Sequence, residues 1–160
     1  MSPIRDIAVV NGLRLYYEIH GEGPWLVLIE GLGVATWLWE KQIPEFSRHF
    51  RVLAYDNRGT GKSDKPPGPY TVGEMAEDLA GLMEVLQIPR AHVLGISLGG
   101  YIAQEFALRY PERVDRLVLV ATGHGGPDQV PIPPETVQQI LEPGDGSRES
   151  VRRKLALAFS

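Results

Sequence analysis

The sequence contains no cysteine, which excludes disulfide bonds and thiolate metal sites. It has no apolar run long enough to cross a membrane. Arg5 and Asp6 interrupt the only apolar stretch near the N-terminus, so a signal peptide is not predicted. Positive charge is not in excess either: the net charge is -4, which gives no general attraction to nucleic acid or to an anionic membrane. These absences predict a cytoplasmic protein with neither a nucleic-acid nor a membrane partner.

The composition is that of a folded domain with a core, since 43% of the 160 residues are hydrophobic and 22% are charged. Near the N-terminus, Asn11-Gly12 separates two apolar segments and favours a hairpin turn, because both turn residues need positive φ. Four later runs have the continuous apolar character of strands in a parallel sheet: 25–29, 51–55, 91–96 and 116–121. Helical patterns lie between them. This order predicts an α/β fold, with a doubly wound, mostly parallel sheet and an antiparallel N-terminal hairpin.

The most regular helical pattern runs from Thr71 to Gln87. Thr71 and Glu74 have the spacing of a capping box, in which each side chain accepts a backbone N–H of the first helical turn. The apolar residues recur at helical intervals and predict one buried stripe. Its members are Met75, Leu79, Leu82, Val85 and Leu86.

A second helix is predicted from Thr36 to Phe46, with Pro44 close to its end. It carries two large aromatic side chains, Trp37 and Trp39. Core packing is the favoured role for both, because tryptophan is mostly buried in folded proteins. Lining of a substrate pocket is the alternative.

The stretch D-N-R-G-T-G-K-S-D (56–64) follows the strand at 51–55. Gly61-Lys62-Ser63 matches the end of a phosphate-binding P-loop, but Asp56 stands where that motif needs a glycine. The proline-rich run 66–69 also excludes the helix that must follow. We therefore predict a structural turn, with Asp56 and Arg58 in local hydrogen bonds, and no nucleotide cofactor.

The pattern that carries chemistry is G-x-S-x-G, formed by Gly95, Ser97 and Gly99. The strand at 91–96 precedes Ser97, and a helical pattern from Leu98 to about Arg109 follows it. A serine on such a sharp turn has a strained backbone and an exposed hydroxyl, and its neighbours two residues away must be small. The positive end of the following helix also favours negative charge that develops beside the serine. We interpret Ser97 as a nucleophile.

Four landmarks together resemble the α/β-hydrolase family over about the first 125 residues: E-G-L-G, D-N-R-G-T-G-K-S, G-I-S-L-G and Y-P-E-R-V-D-R-L-V-L-V. Within the family, the chain looks most like the branch of esterases, enol-lactone hydrolases and haloperoxidase-like proteins that use no cofactor. The resemblance implies hydrolysis of a small-molecule carboxylic ester or lactone through an acyl-enzyme, without a metal. In this family the sharp strand-to-helix turn that carries the nucleophile is called the elbow. Ser97 at this turn argues against the branches that use an aspartate there.

The resemblance also assigns roles to individual residues. Ser97 matches the nucleophile, and the backbone N–H of Leu98 matches one donor to the oxyanion. Leu32 matches the second oxyanion donor. Members of the family often have His-Gly where this chain has Glu30-Gly31, which places a carboxyl group near the site.

The family order continues with an acid and then a histidine on loops after later strands, and nothing after Ala121 supplies these elements. Of the histidines, only His124 follows a strand next to the nucleophile, so it is the one candidate base in the chain. It lacks a clear orienting carboxylate, and we favour a base and an acid outside this chain. Residues 1–125 are predicted as the hydrolase core and 126–160 as the start of a truncated helical lid, ending in an amphipathic helix from Val151.

Two readings compete with a catalytic role. The first is an α/β-hydrolase-fold protein that binds a small ligand in the same pocket without catalysis. The second is an interaction protein that self-associates, because loss of the later strands would leave Leu117 to Val120 as an exposed sheet edge.

Overall fold

The computed structural model describes residues 2–126, 128, 133–142, 147, 149 and 152. The chain divides into two compact units, 1–125 and 126–160. The second contains a described helix, Pro134–Leu141. The amphipathic helix predicted from Val151 lies outside the described residues, apart from Arg152. The assignment of 126–160 as the start of a lid stays a prediction.

The first unit begins with the predicted hairpin. Strands β1 (Ile4–Val10) and β2 (Leu13–His20) are antiparallel, and Val10 pairs with Leu13 across the turn. Asn11 and Gly12 have φ values of 51° and 81°, the positive values that a two-residue turn of this kind requires. The hairpin prediction is confirmed.

Four more strands complete one sheet: β3 (Trp25–Ile29), β4 (Arg51–Tyr55), β5 (Ala91–Ile96) and β6 (Val114–Val120). Their spatial order is β1-β2-β4-β3-β5-β6; the pairs β1–β2 and β2–β4 are antiparallel, and the pairs β4–β3, β3–β5 and β5–β6 are parallel. This is the predicted α/β architecture with a mostly parallel sheet.

Helices cover both faces of the sheet. They are α1 (Ile43–Phe46), α2 (Val72–Val85) and α3 (Leu98–Arg109). The helix of the second unit, described by itself, is named α4 (Pro134–Leu141). Alternate residues of β3 point into different cores: Val27 and Ile29 pack with α2 and α3, whereas Leu26 and Leu28 pack with α1. A strand buried on both faces must be apolar throughout, which explains the continuous apolar run.

The capping box of α2 is present, since Thr71 Oγ1 accepts the N–H of Glu74 and the Glu74 carboxylate accepts the N–H of Thr71. The predicted stripe is correct except for Val85, which is largely exposed at the last turn of the helix. Met83, absent from the predicted stripe, is fully buried.

The helix predicted from Thr36 to Phe46 is wrong as a single element. The segment forms a 3₁₀ turn at Thr36–Trp39 and then the separate helix α1, with Pro44 in its first turn. Proline has no N–H to continue a helix and is tolerated only at a helix start, so it begins the second piece. Trp39 packs in the core as predicted, whereas Trp37 is 58% exposed.

The strand predicted at 116–121 is present as β6, but its expected burial is wrong, and the exposed edge expected at Leu117 to Val120 is observed. Strand β6 pairs with β5, and no strand among the described residues pairs with its other side. Leu117, Val118, Leu119 and Val120 are each 38–45% exposed. The continuous apolar pattern is typical of an interior strand, but β6 occupies an edge here.

No helix in the described part of the chain combines the length and the apolar character that crossing a bilayer requires.

One ion pair joins the turn after β4 to helix α2. Arg58 donates to both carboxylate oxygens of Asp78, at 2.6 and 2.8 Å, and also to Glu74 at 3.1 Å. Asp78 is 1% exposed. The prediction of purely local partners for Arg58 is therefore wrong, because its partners lie on the next helix.

We expect Arg58→Ala to lower the free energy of unfolding by about 3–5 kcal/mol, because it leaves the Asp78 carboxylate buried without its cation. The measurement is urea unfolding of the 160-residue chain. The matched control is Arg48→Ala, which removes an exposed ion pair with Glu45 and should cost less than about 1 kcal/mol. Equal effects of the two substitutions would contradict this account.

Candidate active site

Ser97 occupies a strained turn between β5 and α3. Its backbone has φ 54° and ψ -118°, and positive φ is uncommon and costly for a residue other than glycine. Three hydrogen bonds hold this conformation. The Ser97 N–H donates to the Val120 carbonyl, and the Ser97 carbonyl accepts the Gly100 N–H and the Thr122 hydroxyl, at 2.8–3.0 Å. The residue itself is exposed.

The glycines on either side of Ser97 allow a very close approach of backbone to backbone. A Cβ atom at Gly95 would lie 2.1 Å from the Gly99 carbonyl oxygen. At Gly99 it would lie 2.2 Å from the Ile29 carbonyl oxygen, at the end of β3. Both distances are far below any real contact, which confirms that these positions must lack a side chain.

The segment after β3 lies directly against the serine. A Cβ atom at Gly31 would be 3.3 Å from Ser97 Cβ and 3.8 Å from Ser97 Oγ. The next residue, Leu32, lines a cavity of about 150 Å³ together with Leu98, the first residue of α3. Arg58 and Tyr70 are among its other lining residues. The structure thus brings Leu32 and Leu98 to one cavity beside Ser97, and their role as oxyanion donors stays a prediction.

Two buried carboxyl groups fix the loops around this cavity. Asp56 accepts the backbone N–H of Thr36 at 2.7 Å and of Lys62 at 2.8 Å, one at each oxygen. Glu30 accepts the backbone N–H of Asn57 at 2.7 Å. The prediction of a structural turn held by Asp56 is confirmed. The full burial of Glu30 was not predicted. The sequence had singled out this position only because the chain has Glu30-Gly31 where members of the family often have His-Gly.

Burial raises the pKa of Glu30 to about 8, because the charged form loses its hydration. The nearby Asp56 charge raises this pKa further, whereas backbone N–H groups that point at the carboxyl lower it. Glu30 is therefore a neutral acid around pH 7.

His124 follows β6 in the loop that leaves the sheet. Its neighbour Gly123 is held by Gln104 of α3, whose amide donates to the Gly123 carbonyl at 2.8 Å. Within the described residues, the structure gives no hydrogen bond between His124 and Ser97 and no carboxylate at ion-pair distance from His124. Among the described residues, His124 is therefore neither oriented by a carboxylate nor hydrogen-bonded to Ser97, as a catalytic base would be.

The other histidines make their contacts away from Ser97. His20 contacts the Glu18 carboxylate at 2.9 Å on β2, and His49 lies 3.6 Å from Glu45. His92 lies within β5 with its ring edge-on to Phe50. None of them is placed to accept a proton from Ser97.

The geometry described above is a strand, a strained serine and a helix, and the sequence matches a known family over most of its length. A family model for the alpha/beta hydrolase fold matches residues 24–159. The chain belongs to the alpha/beta hydrolase fold family.

Individual relatives are hydrolases by name. The chain is 42% identical over 106 residues to a putative carbamate hydrolase RutD from Azorhizobium caulinodans, covering 66% of this chain and 40% of that protein. It is 34% identical over 120 residues to 3-oxoadipate enol-lactonase 2 from Acinetobacter baylyi, covering 74% and 45%. Among solved structures, the enol-lactonase from Burkholderia xenovorans LB400 has a TM-score of 0.75 and 36% identity, covering 96% of this chain and 65% of that one.

The chain spans less than half the length of these curated relatives. It thus has the alpha/beta hydrolase fold in part.

We expect Gly99→Ala to destabilise the chain by about 1–3 kcal/mol, because the added methyl group collides with the Ile29 carbonyl. Gly73→Ala is the matched control. Its methyl group meets the movable guanidinium of Arg109, and alanine favours helix α2, so stability should hold or rise. Urea unfolding of both variants measures the difference, and an unchanged midpoint for Gly99→Ala would contradict the close approach.

Proposed function

We propose that this chain is the N-terminal part of a serine hydrolase that cleaves carboxylic esters or lactones through an acyl-enzyme at Ser97. The observation that carries the proposal is the exposed residue Ser97 on a strained turn at the N-terminus of α3. Membership of the alpha/beta hydrolase fold family and relatives named as an enol-lactonase and a carbamate hydrolase support it.

In the proposed reaction, Ser97 Oγ forms a bond to the substrate carbonyl carbon while its proton passes to a base. The N–H groups of Leu32 and Leu98 stabilise the negative charge on the carbonyl oxygen. The bond to the leaving alcohol then breaks, and that oxygen takes the proton from the base. Water hydrolyses the acyl-enzyme by the reverse proton path, which releases the acid and restores Ser97.

The base and its orienting acid are proposed to lie outside the 160 residues. A serine hydroxyl without a base is weakly nucleophilic at neutral pH. We therefore expect the chain alone to be weakly active or inactive, with His124 as its one candidate base. A cytoplasmic location stays a prediction from the sequence.

Ser97→Ala should lower p-nitrophenyl acetate turnover by at least about a thousandfold in the protein that carries this segment with its downstream strands, because the acyl-enzyme cannot form. Thermal unfolding should change little, since Ser97 is exposed. Ser47→Ala removes a hydroxyl that donates to the nearby Pro44 carbonyl; it is the control and should keep full turnover. Retained turnover in Ser97→Ala would end the assignment.

The second candidate is an interaction role, and the observation that favours it is the apolar outer edge of β6. An unpaired strand edge offers free N–H and C=O groups to another strand. The proposed partner is a second copy of this chain, joined edge to edge through β6.

Val118→Lys should abolish this self-association, because a charge on an edge strand opposes pairing. Light scattering across a range of concentrations measures it: the mass of the unsubstituted chain should rise with concentration, and that of the variant should stay at one chain. Val9→Lys places the same charge on β1, the other edge strand, and should have no effect. A monomer at every concentration would exclude this candidate.

A further inference from the structure

Glu30 is a buried ionisable group that the proposed reaction does not use. It directly follows β3 and has no exposed surface. Its Oε1 accepts the Asn57 N–H, but Oε2 is buried without a hydrogen-bond partner among the described residues. A carboxylate there would leave a charge unsatisfied, which is far more costly than an unpaired hydroxyl. The geometry therefore favours the protonated acid.

The groups that face Glu30 carry negative or no charge. Asp56, just after β4, has both oxygens occupied by backbone N–H groups. The Tyr55 hydroxyl is buried without a partner among the described residues, and its pKa is raised by burial and by the charges of Glu30 and Asp78. Asp78, on α2, is already paired with Arg58. No cation in the described part of the chain lies at ion-pair distance from Glu30, so nothing compensates a second negative charge.

The backbone of Glu30 is packed against the elbow. A Cβ atom at Gly99 would lie 2.6 Å from the Glu30 carbonyl oxygen. Gly31, the next residue, lies against the Ser97 side chain, and Leu32 follows. The Glu30 side chain therefore connects this segment to the turn after β4 through a hydrogen bond to the Asn57 N–H. The Glu30 backbone packs against the elbow at Gly99.

We propose that Glu30 is a positioning residue that works only in its protonated form. As a neutral acid it holds residues 30–32 between the turn after β4 and the elbow, with the Leu32 N–H beside Ser97. Loss of its proton in mildly alkaline solution creates a buried carboxylate next to Asp56, and this displaces the segment and weakens the oxyanion site. The proposal rests on the proposed hydrolase function.

The sign of the pH dependence follows from the two protonation states. The pKa of Glu30 is about 8 in the folded chain, against 4.5 for the ordinary group. The folded state therefore keeps a proton that the unfolded state releases between these values. The contribution of Glu30 to stability is fully present below pH 4.5 and is lost as the pH rises to about 8. Turnover should decline as the pH rises above about 8, where the folded chain loses the Glu30 proton.

The first test uses Glu30→Gln in the protein that carries this segment with its downstream strands. Glutamine keeps an oxygen to accept the Asn57 N–H and cannot ionise. In the unsubstituted protein, kcat should fall about fivefold between pH 8 and pH 9, as a single ionisation centred near pH 8 requires, with KM little changed. Glu30→Gln should keep its kcat over that range. Glu22→Gln removes an exposed carboxylate and should retain the alkaline loss.

The second test needs no turnover and uses the 160-residue chain. Between pH 5 and pH 8 the stability of the unsubstituted chain should fall relative to that of Glu30→Gln, as measured by urea unfolding. If Ser97→Ala keeps turnover but this stability difference appears, the proposed function fails while Glu30 is still a buried acid. If Ser97 is essential, and the unsubstituted protein and Glu30→Gln lose stability and turnover equally as the pH rises, the inference about Glu30 is overturned.

A third measurement avoids substitution altogether. The side-chain carboxyl ¹³C resonance of Glu30 reports its ionisation in the unsubstituted chain. A midpoint near pH 8 supports the proposal. A titration that is complete below pH 6 overturns it, whatever the variants do.

Discussion

The arrangement of the whole site depends on one close approach, between the start of helix α3 and the end of strand β3. At Gly99 the helix backbone comes so near to the Ile29 carbonyl that a single Cβ would collide with it at 2.2 Å. This proximity places the N-terminus of α3 and the segment after β3 on either side of Ser97. Any wider packing would separate Leu32 from Leu98, which line one cavity.

Elements determined by neighbouring residues were predictable from the sequence. The hairpin turn at Asn11-Gly12 needs only its own backbone preferences, and the capping box of Thr71 and Glu74 needs only three residues of separation. The strand, serine and helix around Ser97 are likewise local. These predictions succeeded because the physical cause lies within a few residues of its effect.

Features determined by distant parts of the chain were not predictable in the same way. The Arg58 side chain is drawn to Asp78 on the next helix, which no local pattern shows. The exposure of β6 depends on which strands surround it; it was expected because no further strand pattern follows Ala121, and the apolar composition of β6 alone would have indicated burial. Burial of Glu30 depends on the packing of two loops and of the turn at Ser97, so the sequence indicated a carboxyl group near the site but not its full burial.

The hydrogen bonds that hold Ser97 have a consequence for the order of folding. Two of the three involve Val120, the last residue of β6, and Thr122, two residues further on, which lies 25 positions after the serine. During synthesis, the turn at Ser97 therefore lacks these partners until the chain has been made past Thr122. This later segment therefore helps Gly100 to offset the cost of the strained conformation, so Ser97 has its full set of hydrogen bonds only once β6 lies beside β5.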